Sequence, residues 1–305
     1  MIYTLTMNPS VDYKIKIDEI KLNQLNRFET KSFVAGGKGI NCSIVLSNLG
    51  VKNKAIAFLG GFTGAFIESE LHQNKIELIT IPIHEETRMN VKIKTRNEET
   101  ELNHQGPNID DIDFQKLIDK IASFNQEDIL IVGGSSLDSI PNAYLRIAEI
   151  CNQKNISFVM DTPGKYMKEY IQYQPLLMKP NLLELEEYFE TKIHNIDEII
   201  SYGRKMMDQG VMNLIISLGH EGSIFIHKDL VYHALPMDGN IVSTTGAGDS
   251  MVAGFIYQYS LNQNVLHAYK MAVAASLATV FEQTLATKEN ILKYLNNVVI
   301  KEILC

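Results

Sequence analysis

Short apolar runs alternate with helical patterns over most of this 305-residue chain. That rhythm limits the fold more than any other feature. Strands are expected at Ile2–Met7, Ala55–Leu59, Ile129–Val132, Ser157–Met160, Leu176–Lys179, Leu214–Ser217 and Ser223–His227. Helical patterns lie between many of them, as at Phe114–Phe124, Ala143–Asn152 and Ile196–Gln209. Strand–helix–strand order implies a mainly parallel sheet with helices on both faces. With 45% hydrophobic residues, the chain can bury the core of one large α/β domain, with or without a small accessory part. A long Ala-rich helix is expected from Asn264 to Leu285, and a last helix from Lys288 to about Val299.

Two stretches break the rhythm. Asp12–Val34 and Met89–Gln105 contain strict alternation, as in VDYKIKID and NVKIKTRNEETELN, with TRNEET as a hairpin tip. They read as half-exposed strands: an ordinary edge hairpin, or a small sheet projecting from the main body.

Charge and cysteine usage narrow the function classes. The net charge is −8 and no run of Lys or Arg occurs, so no nucleic-acid partner is expected. No stretch is apolar for long enough to suggest a membrane partner, and the opening MIYTLTMNPSVD lacks the basic region and apolar core of a signal peptide. Cys42, Cys151 and Cys305 are scattered, which argues against a disulfide framework or zinc site and for a reducing cytoplasm.

The chemistry concentrates in glycine-rich turns. In STTGAGDSMVAGF, residues 243–255, the apolar positions Met251, Val252, Phe255, Ile256 and Tyr259 mark one face of a helix beginning near Gly248. Its first amides lack internal partners and form an anion site at the positive end of the helix dipole. Asp249 in that first turn has an ordinary reading, dipole stabilisation worth about 0.3–1 kcal/mol. It also has a chemical one: a carboxylate beside an anion cradle suits phosphoryl transfer, accepting the proton of an attacking hydroxyl. AGGKGIN, residues 35–41, is a second glycine turn opening a helix. It is not a Walker A loop, because Gly39 follows Lys38 where Ser or Thr is required. GGFTG, residues 60–64, fits no dinucleotide pattern and reads as a structural turn.

GGKGIN followed some two hundred residues later by TTGAGDSMVAG resembles the ribokinase-like (pfkB-type) carbohydrate kinases over nearly the whole chain. The resemblance implies a three-layer α/β/α sandwich over residues 1–305, with the two alternating stretches forming a small β-sheet lid over a sugar site. TLTMNPSVD, ETRMNVKIK and Ser243 are most similar to the phosphosugar branch. The implied activity is transfer of a phosphoryl group from ATP, with Mg²⁺, to a ketohexose phosphate: fructose 1-phosphate first, tagatose 6-phosphate or fructose 6-phosphate as alternatives. A non-catalytic sugar-phosphate sensor is the reading from another class.

Residue by residue, the resemblance implies the following. Asp249 is the general base, and the amides of Gly246, Ala247 and Gly248 hold the transferring group. Asp12, Asn41 and the close backbone approach at Gly37 hold the sugar, with Asn90 beside it. Lys38 and Arg88 hold the phosphate already on the sugar. Ser135 matches a serine of a GSLP-like loop, although Ser136 and Leu137 replace the usual apolar–proline pair. Asn181 and Glu184 match an NxxE motif that positions metal and phosphates, Glu184 acting through metal-bound water. Ser217, Gly219 and Gly222 form the nucleotide turn. Read without the resemblance, Arg88 is a surface charge, PNLLELEE a helix start, and SLGHEG a hairpin turn. Members of the family often pair through their lids, and VKIKT offers such a surface.

Overall fold

The computed structural model describes residues 1–28, 30–135 and 137–304. Ser136 and Cys305, both singled out above, lie outside the described residues. The chain opens with β1 (Ile2–Thr6) and continues through β2 (Ser10–Lys16), β3 (Thr30–Gly36), α1 (Lys38–Asn48), β4 (Asn53–Leu59), α2 (Gly61–Gln73), β5 (Glu77–Pro82), β6 (Arg88–Lys94) and β7 (Glu99–Leu102). Next come α3 (Asp111–Ala122), β8 (Ile129–Gly133), α4 (Ala143–Lys154), β9 (Ser157–Asp161), α5 (Met167–Tyr170), β10 (Leu177–Met178), α6 (Leu182–Phe189), α7 (Ile196–Asp208) and β11 (Leu214–Ser217). The last part holds β12 (Ser223–His227), β13 (Leu230–Ala234), α8 (Ala247–Asn262), α9 (Val265–Val280), α10 (Lys288–Leu295) and β14 (Ile300–Glu302).

The large sheet runs in the order β14-β13-β12-β11-β10-β9-β8-β1-β4-β5. From β11 to β5 every neighbouring pair is parallel, while β12, β13 and β14 add an antiparallel edge. Alternation along β8 shows how helices cover both faces. Leu130 and Val132 pack with α3, α4 and α7 residues such as Phe114, Ile147 and Met206. Ile131 points the other way, into a cluster with Val45 of α1, Phe255 of α8 and Ala272 of α9. Phe255 and Leu130 are fully buried, each contributing about 1.5–3 kcal/mol by removal from water. α8 and α9 pack closely because Gly254 has no side chain: a Cβ there would lie 2.8 Å from that of Ala275.

The two alternating stretches do form a separate sheet, in the order β3-β2-β6-β7. Its register sets Asp12 against Asn90 and Lys92 against both Lys14 and Glu101. The tip closes with the Thr95 amide donating to the Glu98 carbonyl, at 2.9 Å.

Two expectations are revised. The helix expected to reach Leu285 stops at Val280, and residues 282–285 become a loop beside the small sheet. The helix expected to reach Val299 ends at Leu295, before β14. Asparagines at 296 and 297 favour that exit, since their side chains compete with the helical ladder.

Candidate functional site

The parallel strands β1, β8 and β9 point their carboxyl ends at one edge of the sheet, where ligands of open α/β folds gather. Asp161 is the last residue of β9, Lys38 opens α1, and α8 brings its N-terminus to the same place. Gly246 caps α8 with φ 80°, in the left-handed region that favours glycine. A side chain there would also strike Leu285, with Cβ 2.5 Å from its Cδ2.

This single turn separates two cavities. One of about 680 Å³ is lined by residues including Asp12, Gly37, Lys38, Asn41, Arg88, Asn90, Gly246 and Asp249. Another of about 540 Å³ is lined by Asn181, Ser217, Gly219, Gly222, Ala247 and Gly248, together with apolar residues such as Leu235, Ile241, Val280 and Phe281. Consecutive residues thus face different spaces: Gly246 and Asp249 one, Ala247 and Gly248 the other. Ser135 is exposed and lines neither.

Asp249 is 6% exposed. Its Oδ2 accepts a 2.7 Å hydrogen bond from Asn41 Nδ2, and its backbone carbonyl accepts one from Cys42 Sγ at 3.3 Å. Burial, aided by the negative charge of Asp161, pushes the Asp249 carboxyl up to about 6. The bond from Asn41 and the charges of Lys38 and Lys179 oppose that rise. Of the first-turn amides, Ala247 N–H donates to the Thr244 carbonyl at 3.2 Å, while Gly248 and Asp249 N–H donate to no backbone carbonyl among the described residues. Any anion held at this turn would therefore find the Gly248 and Asp249 amides open and the Ala247 amide engaged. Gly248 leaves room beside Lys179, whose Nζ would sit 2.9 Å from an added Cβ.

Beneath this turn lies a buried charge cluster. Asp161 pairs with Lys38 at 3.1 Å and with Lys179 at 3.6 Å. Burial works against ionised Asp161, yet Lys179 and Lys38 bring its pKa below the usual value. Burial likewise opposes the charge on Lys38, but Asp161, then Asp249 and Glu184, raise its pKa. Sequence reasoning did not find Asp161 or Lys179. The available signals were an acid ending an apolar strand in FVMDTP and a lysine between an apolar strand and a proline in LMKPN.

Asn181 and Glu184 do cap a helix. Glu184 N–H donates to Asn181 Oδ1 and Asn181 N–H to Glu184 Oε2, both at 2.8 Å. This is a capping box. Burial and then Asp161 raise the Glu184 pKa. The SLGHEG turn joins antiparallel β11 and β12, with Gly219 at φ 61° and Gly222 at φ 91°. Among the described residues, no group of three or more His, Cys, Asp and Glu forms a metal cage.

On the small sheet, Asp12 Oδ1 accepts from Ser10 Oγ at 2.9 Å and from Asn90 Nδ2 at 3.1 Å. Its Oδ2 pairs with Lys92 Nζ at 3.1 Å. Arg88 donates from Nη1 to the His104 carbonyl and from Nη2 to the Asn8 carbonyl, at 3.0 and 3.1 Å. Burial lowers its pKa, and its Nε is buried without a partner. Arg88 is thus a desolvated cation facing the larger cavity rather than a surface charge.

The comparisons agree with this geometry. A family profile described as pfkB family carbohydrate kinase matches residues 5–290. The chain is 39% identical to the 1-phosphofructokinase of Bacillus subtilis (strain 168) over 290 residues, 95% of each chain. It is 34% identical to the D-tagatose-1-phosphate kinase of Bacillus licheniformis over 287 residues, covering 93% of this chain and 94% of that one. A crystal structure of a phosphofructokinase candidate from Staphylococcus aureus superposes with a TM-score of 0.89 at 41% identity, over 99% of each chain. With both glycine signatures folded against one another at the carboxyl edge of the sheet, the chain belongs to the pfkB family of carbohydrate kinases, a family of phosphotransferases.

Proposed function

We propose that this kinase transfers the γ-phosphoryl group of ATP to the free primary hydroxyl of a ketohexose phosphate, fructose 1-phosphate being the preferred acceptor. The observation that carries the reading is the two-sided turn at the start of α8. The polar cavity takes the sugar phosphate and the apolar, glycine-edged cavity the nucleotide, so acceptor and donor meet at Asp249 and Gly248. The relatives named for 1-phosphosugars support the choice among acceptors, since fructose 1-phosphate and tagatose 1-phosphate both present a C6 hydroxyl.

Asp249 accepts the hydroxyl proton. A carboxylate raised to about 6 is ionised at neutral pH yet basic enough to be an effective base. The Gly248 and Asp249 amides and Lys179 face the charge that develops on the transferring group. Asp12 and Asn41 hold sugar hydroxyls beside Gly37 and Asn90, and Arg88 holds the sugar phosphate with Lys38. Ser217, Gly219 and Gly222 let the nucleotide approach the backbone.

Magnesium accompanies the nucleotide, and the acids fit it. Glu184 and Asp161 disfavour each other's charge, so a cation nearby would be welcome, with Glu184 acting through water. Such an ion neutralises phosphate charge. The small sheet acts as a lid that excludes water. We also infer a homodimer formed through that sheet, checked by light scattering, and a cytoplasmic location.

The test is ADP release with ATP–Mg²⁺ on fructose 1-phosphate, tagatose 1-phosphate, tagatose 6-phosphate, fructose 6-phosphate and fructose, with Asp249→Asn as control. A clear kcat/KM preference for fructose 1-phosphate, lost in the control, is expected. Turnover of none, with binding retained, would favour the sensor.

A further inference from the structure

We propose that Lys92 is the positioning residue that fixes the geometry with which Asp12 reads the sugar, and so sets discrimination between ketohexose phosphates that differ at one hydroxyl. The inference rests on the sugar-binding reading of Asp12 given above.

Lys92 sits in the middle of β6, two strand positions from Asn90 and four from Arg88, so all three share one face. That face lines the larger cavity. The Lys92 side chain is only 12% exposed, and its ammonium joins two carboxylates from different strands: Asp12 of β2 at 3.1 Å and Glu101 of β7 at 3.3 Å. Lys92 also lies level with Lys14 on the parallel neighbour β2, and against burial the two carboxylates keep its ammonium charged.

The acceptor count on Asp12 shows what the lysine does. An ionised carboxylate has about four lone-pair sites. Ser10 and Asn90 occupy Oδ1, and Lys92 occupies part of Oδ2. One site remains for a sugar hydroxyl, with the carboxylate plane fixed by three donors. Without Lys92, the carboxylate would be held at Oδ1 alone, turn more freely about its Cβ–Cγ bond, and accept a hydroxyl at Oδ2 from a wider range of directions. Fructose and tagatose 1-phosphates are epimers, so a fixed single acceptor is what tells them apart. Glu101 completes the device. It belongs to edge strand β7, whose residues are all exposed, and so ties that strand to the sugar-reading carboxylate through Lys92.

The experiment compares wild type, Lys92→Met and Lys92→Arg on fructose 1-phosphate and tagatose 1-phosphate, with KM for ATP and Tm measured alongside. Removing a charge-assisted bond changes affinity by roughly tenfold or more. Lys92→Met is therefore expected to raise KM for fructose 1-phosphate about tenfold, to leave KM for ATP unchanged, and to flatten the ratio of kcat/KM between the epimers. Lys92→Arg, which keeps a cation on a similar stem, restores part of that ratio. A Lys92→Met enzyme with lowered Tm but an unchanged epimer ratio would overturn the proposal, because a purely structural lysine acts on stability alone. If Lys92→Met does not fold, Lys92→Arg decides: its planar fork cannot reproduce both ion pairs in the same geometry, so an epimer ratio identical to wild type overturns the idea. Wild-type inactivity on both sugars would instead count against the functional reading itself.

Discussion

The two cavities meeting at α8 are built on opposite principles. The polar cavity, proposed above for the sugar phosphate, is walled by charge: Asp12, Lys92, Arg88, Lys38 and Asp249 are held by hydrogen bonds and ion pairs between segments far apart in the chain. The other cavity, proposed above for the nucleotide, is walled by Leu235, Ile241, Val280 and Phe281, with glycines at its edge. A preorganised polar wall reads which ligand is present, because each buried group left unpaired is costly. An apolar wall supplies area and tolerates detail. Substitutions on the two sides should therefore fail differently.

The largest effect is expected at the boundary. Asp249→Asn should lower kcat by about 10²–10⁴ while both substrates still bind, as read by calorimetry. The same change should stabilise the protein at pH 8. Burial raises the Asp249 pKa to about 6 from 3.8, so the folded state binds the proton more tightly than the unfolded one. Stability is then fullest below pH 4 and falls as pH rises towards 6, by about 3 kcal/mol. The neutral amide escapes that penalty, and thermal melts across pH would show it.

Next comes the contrast between sides. Gly222→Ala should damage the fold itself: φ is 91° and a Cβ would lie 2.0 Å from the Ala234 carbonyl. A loss of about 2 kcal/mol or more should appear as a Tm several degrees lower. Arg88→Ala should instead lower Tm less, through the donors lost by the Asn8 and His104 carbonyls, and raise sugar-phosphate KM about 10-fold or more without altering KM for ATP. Equal effects on both KM values would erase the distinction.

A smaller shift tests the charge cluster. kcat/KM should rise with pH and level off above about pH 6, the value for Asp249. Asp161→Asn removes a like charge and frees Lys38 and Lys179 to face Asp249, so the acid limb should move to lower pH. An acid limb that stayed in place or moved upward would show that Asp161 does not raise the base. The smallest effect is expected at Ser135, exposed and outside both cavities. Ser135→Ala should change sugar KM by less than about twofold.

Much of this arrangement was legible before folding, because periodicity reports burial. Ser223–His227 and Leu214–Ser217 form as expected, and the alternating stretches form their own sheet. Strands β5, β13 and β14 escaped: ELITIP and LVYHA are largely half-exposed and lack a continuous apolar run, and β14 has three residues. The glycine turns announced Asp249 and Lys38 through local spacing. Asp161 and Lys179 had no such spacing, whereas Lys92 shares the alternation of ETRMNVKIK with Arg88 and Asn90. Lys38 and Asp161 meet across 123 positions, and no local pattern encodes which distant acid a lysine will find. Arg88 looked like a surface charge for the same reason: the carbonyls of Asn8 and His104 that hold its guanidinium are supplied by other segments.

The hydrogen bond from Asn41 to Asp249 spans 208 positions, and this has a consequence for biosynthesis. Asn41 is laid down early, and Asp249, proposed above as the base, emerges only after four-fifths of the chain. A growing chain can complete the parallel strands of the large sheet before Asp249 exists. Long-range closure of this kind folds slowly, so on the function proposed above a chain interrupted before α8 is expected to be inert.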